Sequence, residues 1–352
     1  MRRVVTGWFV ALFAASLAAQ SSGQIPTTIP EMWNAWCARC HARDGTGNVA
    51  EPTVKVQPMD FTDCKIATPE ADADWHTAIT HGGPGVGLSS EMPAFGDALS
   101  SKQIDEFIVL IRGFCKQPGW PSGNFNMPRP MFTEKPFPED EFIIQPVASH
   151  VKNTPAAFSM AAILERRIGR RAQLEAVLPF ESASSGTRQN GLGDVELGLK
   201  YALTPRANRY LASAGFDVVA PTGSESRGLG GGTVSFEPYL AAATMAGSTY
   251  VQGQFKIEMP RHRPWEDKEV LCNLYLGRDT GIFPDSFTYG VELNGENDEV
   301  ALTPQLRKGL TRTGALAGAF GVRLPVNHRE EQGIRWVGYL LWEFLEPVRP
   351  RR

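Results

Sequence analysis

Several things are scarce in this sequence, and each scarcity excludes a class. Lys+Arg (35) and Asp+Glu (38) nearly cancel, leaving a net charge of −3. With no basic excess, nucleic-acid binding is set aside. Five cysteines in 352 residues are too few for a disulfide scaffold. Beyond the first twenty residues there is no run of about 18 unbroken apolar residues, so no transmembrane helix is expected. Charged residues make up 21% against 42% hydrophobic, which excludes a disordered polyelectrolyte. Gly (35) and Pro (26) are plentiful, favouring turn-rich β structure over a helical bundle. The length suggests about two domains.

Arg2 and Arg3 precede an apolar run from Val4 to Ala19, broken by Thr6, Gly7 and Ser16. A charged start, an apolar middle and small residues at Ala18 and Ala19 read as a signal peptide over 1–19. An uncleaved anchor helix is the alternative. Export places the chain in an oxidising compartment where cysteines can pair.

The remainder has two grammars. Residues 30–116 read as short helices joined by Gly-rich loops. Pro30 to Trp36 opens the first, and 69–79 forms another with Trp75 and Ile79 on one face. A third starts at Ser100, with Gln103 at the capping-box position. Ile104, Phe107, Ile108 and Ile111 follow at helical spacing, and Gly113 ends it. Lys+Arg is 7 and Asp+Glu 12 over this stretch, a balance of −5. Residues 117–140 collect six prolines and read as an extended linker. Beyond it the period becomes two. Segments 195–201, 251–259, 316–326 and 334–344 alternate apolar with polar or small residues. Eleven or twelve such segments of roughly ten residues occur, separated by turn signals such as Pro221-Thr222-Gly223 and Asn294-Gly295.

The clearest chemistry lies in Cys37-Ala38-Arg39-Cys40-His41, the spacing of a c-type haem attachment site. Two thiols add to the two porphyrin vinyl groups, and the next residue then sits beneath the iron as its proximal ligand. A redox dithiol would want a βαβ context, and a zinc site a second Cys/His pair. A sixth ligand is expected downstream. Met92, in Glu91-Met92-Pro93-Ala94-Phe95-Gly96, is the leading candidate, because a thioether on a Gly/Pro-rich loop can approach iron and raise its potential. Met59, His76 and His81 compete with it. Trp75 can donate its indole N–H to a haem propionate or simply pack in the core.

On these motifs, residues 31–116 resemble a class I cytochrome c. The resemblance implies one covalently attached haem c, Cys37 and Cys40 as its anchors, His41 and Met92 as iron ligands, and one-electron transfer. The pair Cys64 and Cys115 departs from the family pattern. The two flank the ligand loop and are expected to form a disulfide, with two buried thiols as the alternative. Cys272 remains, a small apolar side chain in an alternating segment.

The second part carries no Ser/His/Asp grouping or phosphate loop. The glycine run 228–232 reads as a flexible loop, and His262 as a loop histidine. Glu196, Lys200, Lys256 and Glu258 lie on the polar side of their strands. That side faces water in a soluble sandwich and the lumen in a membrane barrel. Segment length and an even count favour the barrel. Residues 191–201, followed by Ala220-Pro221-Thr222-Gly223 and Phe236-Glu237-Pro238, resemble the transporter-like outer-membrane barrels of phenol-degradation pathways, over about 140–346. The resemblance implies an antiparallel barrel of about 12 strands at 141–346, with a basic tail at 347–352 beyond the terminal aromatic, Phe344.

The expected fold is therefore an all-α cytochrome c domain followed by an all-β outer-membrane barrel. The expected function is electron transfer at the periplasmic face, with the barrel as anchor or pore, rather than conversion of a substrate. In outline this resembles the fused cytochrome–porins of iron-oxidising bacteria. The expected partners are periplasmic redox proteins, preferably with a basic patch, and outer-membrane lipid. A soluble periplasmic carrier with a β-sandwich module, and a transport barrel with a regulatory cytochrome, are the alternatives.

Overall fold

The computed structural model describes residues 26–50, 54–121, 123–185, 187–204, 209–262, 268–280, 287–329 and 333–344. The expected signal peptide and basic tail lie outside the described residues.

The helical part comprises α1 (Ile29–Met32), a π turn (Trp33–Cys37), α2 (Ala38–His41), α3 (Cys64–Ala67), α4 (Asp72–Gly85) and α5 (Ser101–Arg112). α5 forms where its pattern predicts. Ser100 Oγ accepts the Gln103 backbone N–H while Gln103 Oε1 accepts that of Ser100. The box satisfies two donors that a helix start leaves open. Ile104, Phe107, Ile108 and Ile111 are buried against Trp33, Phe61 and Trp75, each fully buried side chain contributing roughly 1.5–3 kcal/mol. α4 begins at Asp72 rather than 69, because Pro69 and Glu70 lie in a turn and Ala71 caps the helix with extended backbone.

Strands β1 (Glu141–His150), β2 (Ala157–Ile168), β3 (Ala172–Ser185), β4 (Thr187–Leu192), β5 (Val195–Ala202), β6 (Tyr210–Ala220), β7 (Ser235–Ala246), β8 (Thr249–Pro260), β9 (Glu269–Thr280), β10 (Phe287–Glu296), β11 (Glu299–Gly309), β12 (Leu316–Pro325) and β13 (Ile334–Glu343) make one sheet. All neighbours are antiparallel. β1 pairs with β13, with Glu141 opposite Glu343, and β2 with β3, so the sheet closes on itself. β4 and β5 lie in line along β3, interrupted at Gly193-Asp194, and count as one stave. The result is a twelve-stranded barrel, which excludes the β-sandwich. One expected turn falls elsewhere. Asn294 and Gly295 sit inside β10, and the β10–β11 turn is Asn297-Asp298, with Asn297 at φ 52°. Asn294 stays in the strand because its amide is bonded in the lumen to Asn273, Glu292 and Thr303.

The alternation sorts the two faces of the wall. Leu197, Leu199 and Tyr201 are 58%, 50% and 48% exposed on the outside, and Lys200 between them is 2% exposed. Leu240, Leu274, Leu302, Leu306 and Phe320 are likewise exposed, whereas Glu165, Glu237, Gln252, Glu292, Thr303 and Gln305 are buried inside. Tyr201, Tyr210, Phe287 and Trp342 stand at strand ends near one rim, and Phe158, Phe180 and Trp336 toward the other. Apolar outside, polar inside and aromatic at the rims is the surface of a barrel in lipid. No helix among the described residues is long and apolar enough to cross a membrane; the crossing is made by strands.

Residues 117–140, expected as an extended spacer, instead enter the lumen. Phe125, Met127 and Phe137 are buried among Ala202, Leu211, Tyr250 and Tyr275, and Met131 among Ile143, Val337 and Tyr339. The deepest backbone is held by one side chain: the Glu292 carboxylate accepts the N–H groups of Met131, Phe132 and Thr133 and the Thr133 hydroxyl. Gln252 and Tyr339 donate to the carbonyls of Pro128 and Arg129. Arg129 pairs with Glu141 and Glu165, and Lys200 with Glu134. A segment without regular structure must find partners for its backbone wherever water is excluded, and the polar lumen supplies them. The chain goes in past the β2–β3 turn, where Arg170 and Arg171 donate to Pro118 and Gly119. It returns to the same rim to start β1.

Replacing Glu292 by Leu removes the acceptor for three buried N–H groups, each costing about 1–3 kcal/mol when left unpaired, without touching the ladder that closes the ring. Glu292→Leu is expected to free 117–140 from the lumen, raising planar-bilayer conductance and protease cleavage within that segment. Unchanged conductance would mean that the segment does not obstruct the barrel.

Candidate functional site

α1, the π turn and α2 deliver the Cys37–His41 motif to the wall of a cavity of about 780 Å³, a volume typical of a cofactor pocket. A π turn is often found at functional positions. Here Trp33, 3% exposed, anchors it, donating its indole N–H to the Ala42 carbonyl at 3.2 Å. The backbone turns away right after the motif, through Ala42 at φ 61°, and Gly47 N–H closes the turn on the His41 carbonyl at 2.9 Å. Aromatic rings back the imidazole: Phe61 stacks on His41 with centroids 5.0 Å apart, and Trp33 lies 6.0 Å away.

Cys37, Cys40, His41 and Met92 all line this cavity. The structure's disulfide joins Cys64 to Cys115, with Cα atoms 5.2 Å apart, and ties α3 to the chain after α5. Cys272 is exposed on the barrel. Burial, and then the neighbouring Cys40, pushes the Cys37 thiol up to about 12. Burial also pulls the His41 imidazole down to about 4, keeping it in the neutral form that binds metal.

The rival ligands separate by position. His76 bonds Ser101 at 3.1 Å and Thr80 at 3.3 Å, and neither His76 nor His81 lines the cavity. Met59 does, but its backbone faces the His41 ring and tends to hold a proton on it, so it lies on the histidine side. Met92 comes from the loop after α4. Its carbonyl accepts Gly83 N–H at 3.0 Å. Gly82, at φ 70°, lets α4 and this loop touch: a Cβ there would stand 2.7 Å from the Met92 carbonyl oxygen and 2.8 Å from Ala94 N. Glu91 accepts the backbone N–H groups of Lys55 and Val56, which hold its carboxyl below the usual range and fix the other flank of the loop.

A buried donor at the cavity has no hydrogen-bond partner, Nε1 of Trp75. Arg112 lies 4.5 Å above the Trp75 ring, itself held by Asp72. Orphaned donors are rare in native interiors, and this one fits a haem propionate. The cavity, the paired thiols, the neutral His41 imidazole and the orphaned Trp75 donor therefore suit the group that the motif implies.

The sequence did not reveal that the barrel helps to enclose this space. Asp140, Arg167, Arg312, Thr313, Glu343 and Phe344 line it beside the helices. Glu70 and Asp74 face it from the cytochrome-like side. Desolvation in the cavity wall, with Asp74 and Glu343 adding repulsion and Arg112 opposing, pushes Glu70 up to about 8.

Residues 26–111 match a family model described as cytochrome c oxidase, cbb3-type, subunit III. No curated protein matches the chain. Among solved structures, an outer membrane channel from Pseudomonas putida F1 is 16% identical with a TM-score of 0.44, covering 62% of this chain and 100% of the channel. The KdgM porin is 12% identical with a TM-score of 0.41, over 57% and 99%. The NanC porin is 10% identical with a TM-score of 0.42, over 58% and 100%.

Because Gly82 requires a positive φ and close backbone contact, Gly82→Ala is expected to cost more than ~1 kcal/mol and to displace the Met92 loop. Thermal unfolding and the visible spectrum of the purified full-length protein check this. A variant as stable as the parent, with an identical spectrum, would show that the loop does not depend on this contact.

Proposed function

We propose that the chain is an outer-membrane-anchored c-type cytochrome that passes single electrons at the periplasmic face. The observation that carries the reading is the shared cavity, where the two thiols, the His41 imidazole and the Met92 thioether meet. The family match of residues 26–111 supports the cytochrome part, and the apolar outer wall of the closed barrel the anchoring part. When bound, a haem supplies reversible one-electron chemistry at an iron whose potential Met/His ligation raises.

The residues divide that work. Cys37 and Cys40 hold the group through thioether bonds, which keep it in place even when an iron ligand is lost. His41 binds as the neutral imidazole, stacked against Phe61. Met92 approaches from the loop that Gly82, Gly83 and Glu91 fix. Trp75 offers its indole N–H to a propionate.

The rims support one orientation. The rim bearing the start of β1 and the end of β13 also carries the connections 169–171, 203–209, 247–248, 281–286 and 310–315. The opposite rim carries 151–156 and 297–298 and the longest connections, 221–234, 261–268 and 326–333. Short turns and chain termini belong to the periplasmic side of such barrels, where haem is also attached. The cytochrome domain lines its cavity with residues of this rim, so we place it in the periplasm. With residues 117–140 inside the lumen, the barrel acts as an anchor rather than an open pore.

The test is the spectrum of the full-length protein and two variants. The parent is expected to show a low-spin haem that cycles with dithionite and ferricyanide. His41→Ala abolishes that low-spin spectrum. Met92→Ala keeps the covalent haem but loses the weak long-wavelength band of a Met–Fe(III) bond, and its potential falls. If Met92→Ala leaves that band intact, Met92 is not the sixth ligand.

A further inference from the structure

The cavity has walls from two folds, and its charges are unevenly shared. On the helical side the acidic groups Asp60, Asp63, Glu70, Asp74 and Glu91 line it, and Lys65 is that side's lining cation. The barrel side adds Asp140 and Glu343, but also Arg167 from β2 and Arg312 from the β11–β12 turn. A haem brings two more carboxylates, its propionates, into a space already crowded with acidic groups. Those carboxylates need cations.

Arg167 is built for such a role. Its side chain is 8% exposed. The rings of Phe137 and Trp120 lie 5.5 and 6.0 Å from its guanidinium carbon, and Asp140 accepts its backbone N–H at 3.1 Å. The same carboxylate forms an ion pair with it, 3.6 Å from Nε, too far for a hydrogen bond, and Nε is buried without a hydrogen-bond partner. A guanidinium has five donors in a fixed fork, so this one is held in place with donors to spare. Arg312 is exposed to the cavity and makes no ion pair among the described residues. Contact between the halves is close here: a Cβ on Gly87, in the loop before Met92, would lie 2.9 Å from Thr313 Cγ2. By contrast, the two lumen carboxylate clusters, Glu134/Glu165/Glu175 and Glu196/Asp217/Glu237, already hold Lys200 or Arg129 and Lys256 and offer no comparable vacancy for a cation.

We propose that the haem site is completed by the barrel, with Arg167 and Arg312 acting as positioning residues that bind the haem propionates. This rests on the haem reading above. The barrel is then part of the redox centre and sets its potential, beyond anchoring it. A cation beside the group disfavours the more positive ferric state, so losing one lowers the potential.

The experiment is a spectroelectrochemical titration of the detergent-solubilised full-length protein, comparing the parent with Arg167→Gln, Arg167→Lys, Arg312→Gln and the double Gln variant. Haem staining and the Met92-dependent band report separately on attachment and ligation. The expected result is intact attachment and ligation with a lowered potential in each Gln variant, lowest in the double, and recovery of most of the loss by Arg167→Lys. At fixed ambient potential the ratio of reduced to oxidised protein falls several-fold; a tenfold fall corresponds to about 59 mV for one electron. An unshifted potential in the double variant with normal ligation overturns the proposal. If Arg167→Gln does not assemble, Arg312→Gln, on an exposed turn, decides alone. A parent without low-spin haem would instead refute the haem reading itself.

Discussion

The Glu292 carboxylate, buried at mid-strand in β10, sets the arrangement of the whole molecule. It gathers three consecutive backbone N–H groups of a proline-rich segment that could not otherwise lie in a water-poor lumen without large cost. Because that segment enters and leaves by one rim, the domain before it is tied to that rim. The tether leaves the helical domain little freedom, so its cavity can borrow a wall from the barrel. Remove that acceptor and the lumen, the docking and the shared cavity would all loosen together.

The lumen also explains features of the sequence that look odd for a membrane wall. Acidic residues recur in strands, yet each described cluster is compensated. Arg129 of the inserted segment sits between Glu141 and Glu165, and Lys256 gathers Glu196, Asp217 and Glu237. At the opposite rim, Asp194 accepts the backbone N–H groups of Gly223 and Gly231, so the glycine run expected as a flexible loop is folded around one carboxylate. Leu229, 1% exposed, packs beneath it.

Much of this was legible in the sequence, for local reasons. The Ser100–Gln103 box and the Ile104/Phe107/Ile108/Ile111 stripe specify α5 without tertiary information. Strict alternation specifies β5, β8, β12 and β13, and the C-x-x-C-H spacing carries its own chemistry. What escaped depends on long-range partners. Asn294-Gly295 reads as a turn until Asn273 and Thr303 hold it in a strand. Residues 117–140 read as a spacer because proline count dominates the pattern. The signal against that reading was present in Phe125, Met127, Met131 and Phe137, apolar side chains that a solvated linker has no use for. No local signal marks Arg167 or Arg312, since only closure of the barrel and docking of the helices bring them to the cavity.

The central claim is that one chain joins a covalently held haem to a closed membrane barrel. A haem-stained gel of outer-membrane and periplasmic fractions, with boiled and unboiled lanes, tests it most directly. The account predicts a haem-positive band in the outer membrane whose migration changes on boiling, because a closed barrel resists detergent until heated while thioether bonds survive the heat. A haem-positive band in the periplasm that boiling does not shift would contradict it and leave a soluble electron carrier.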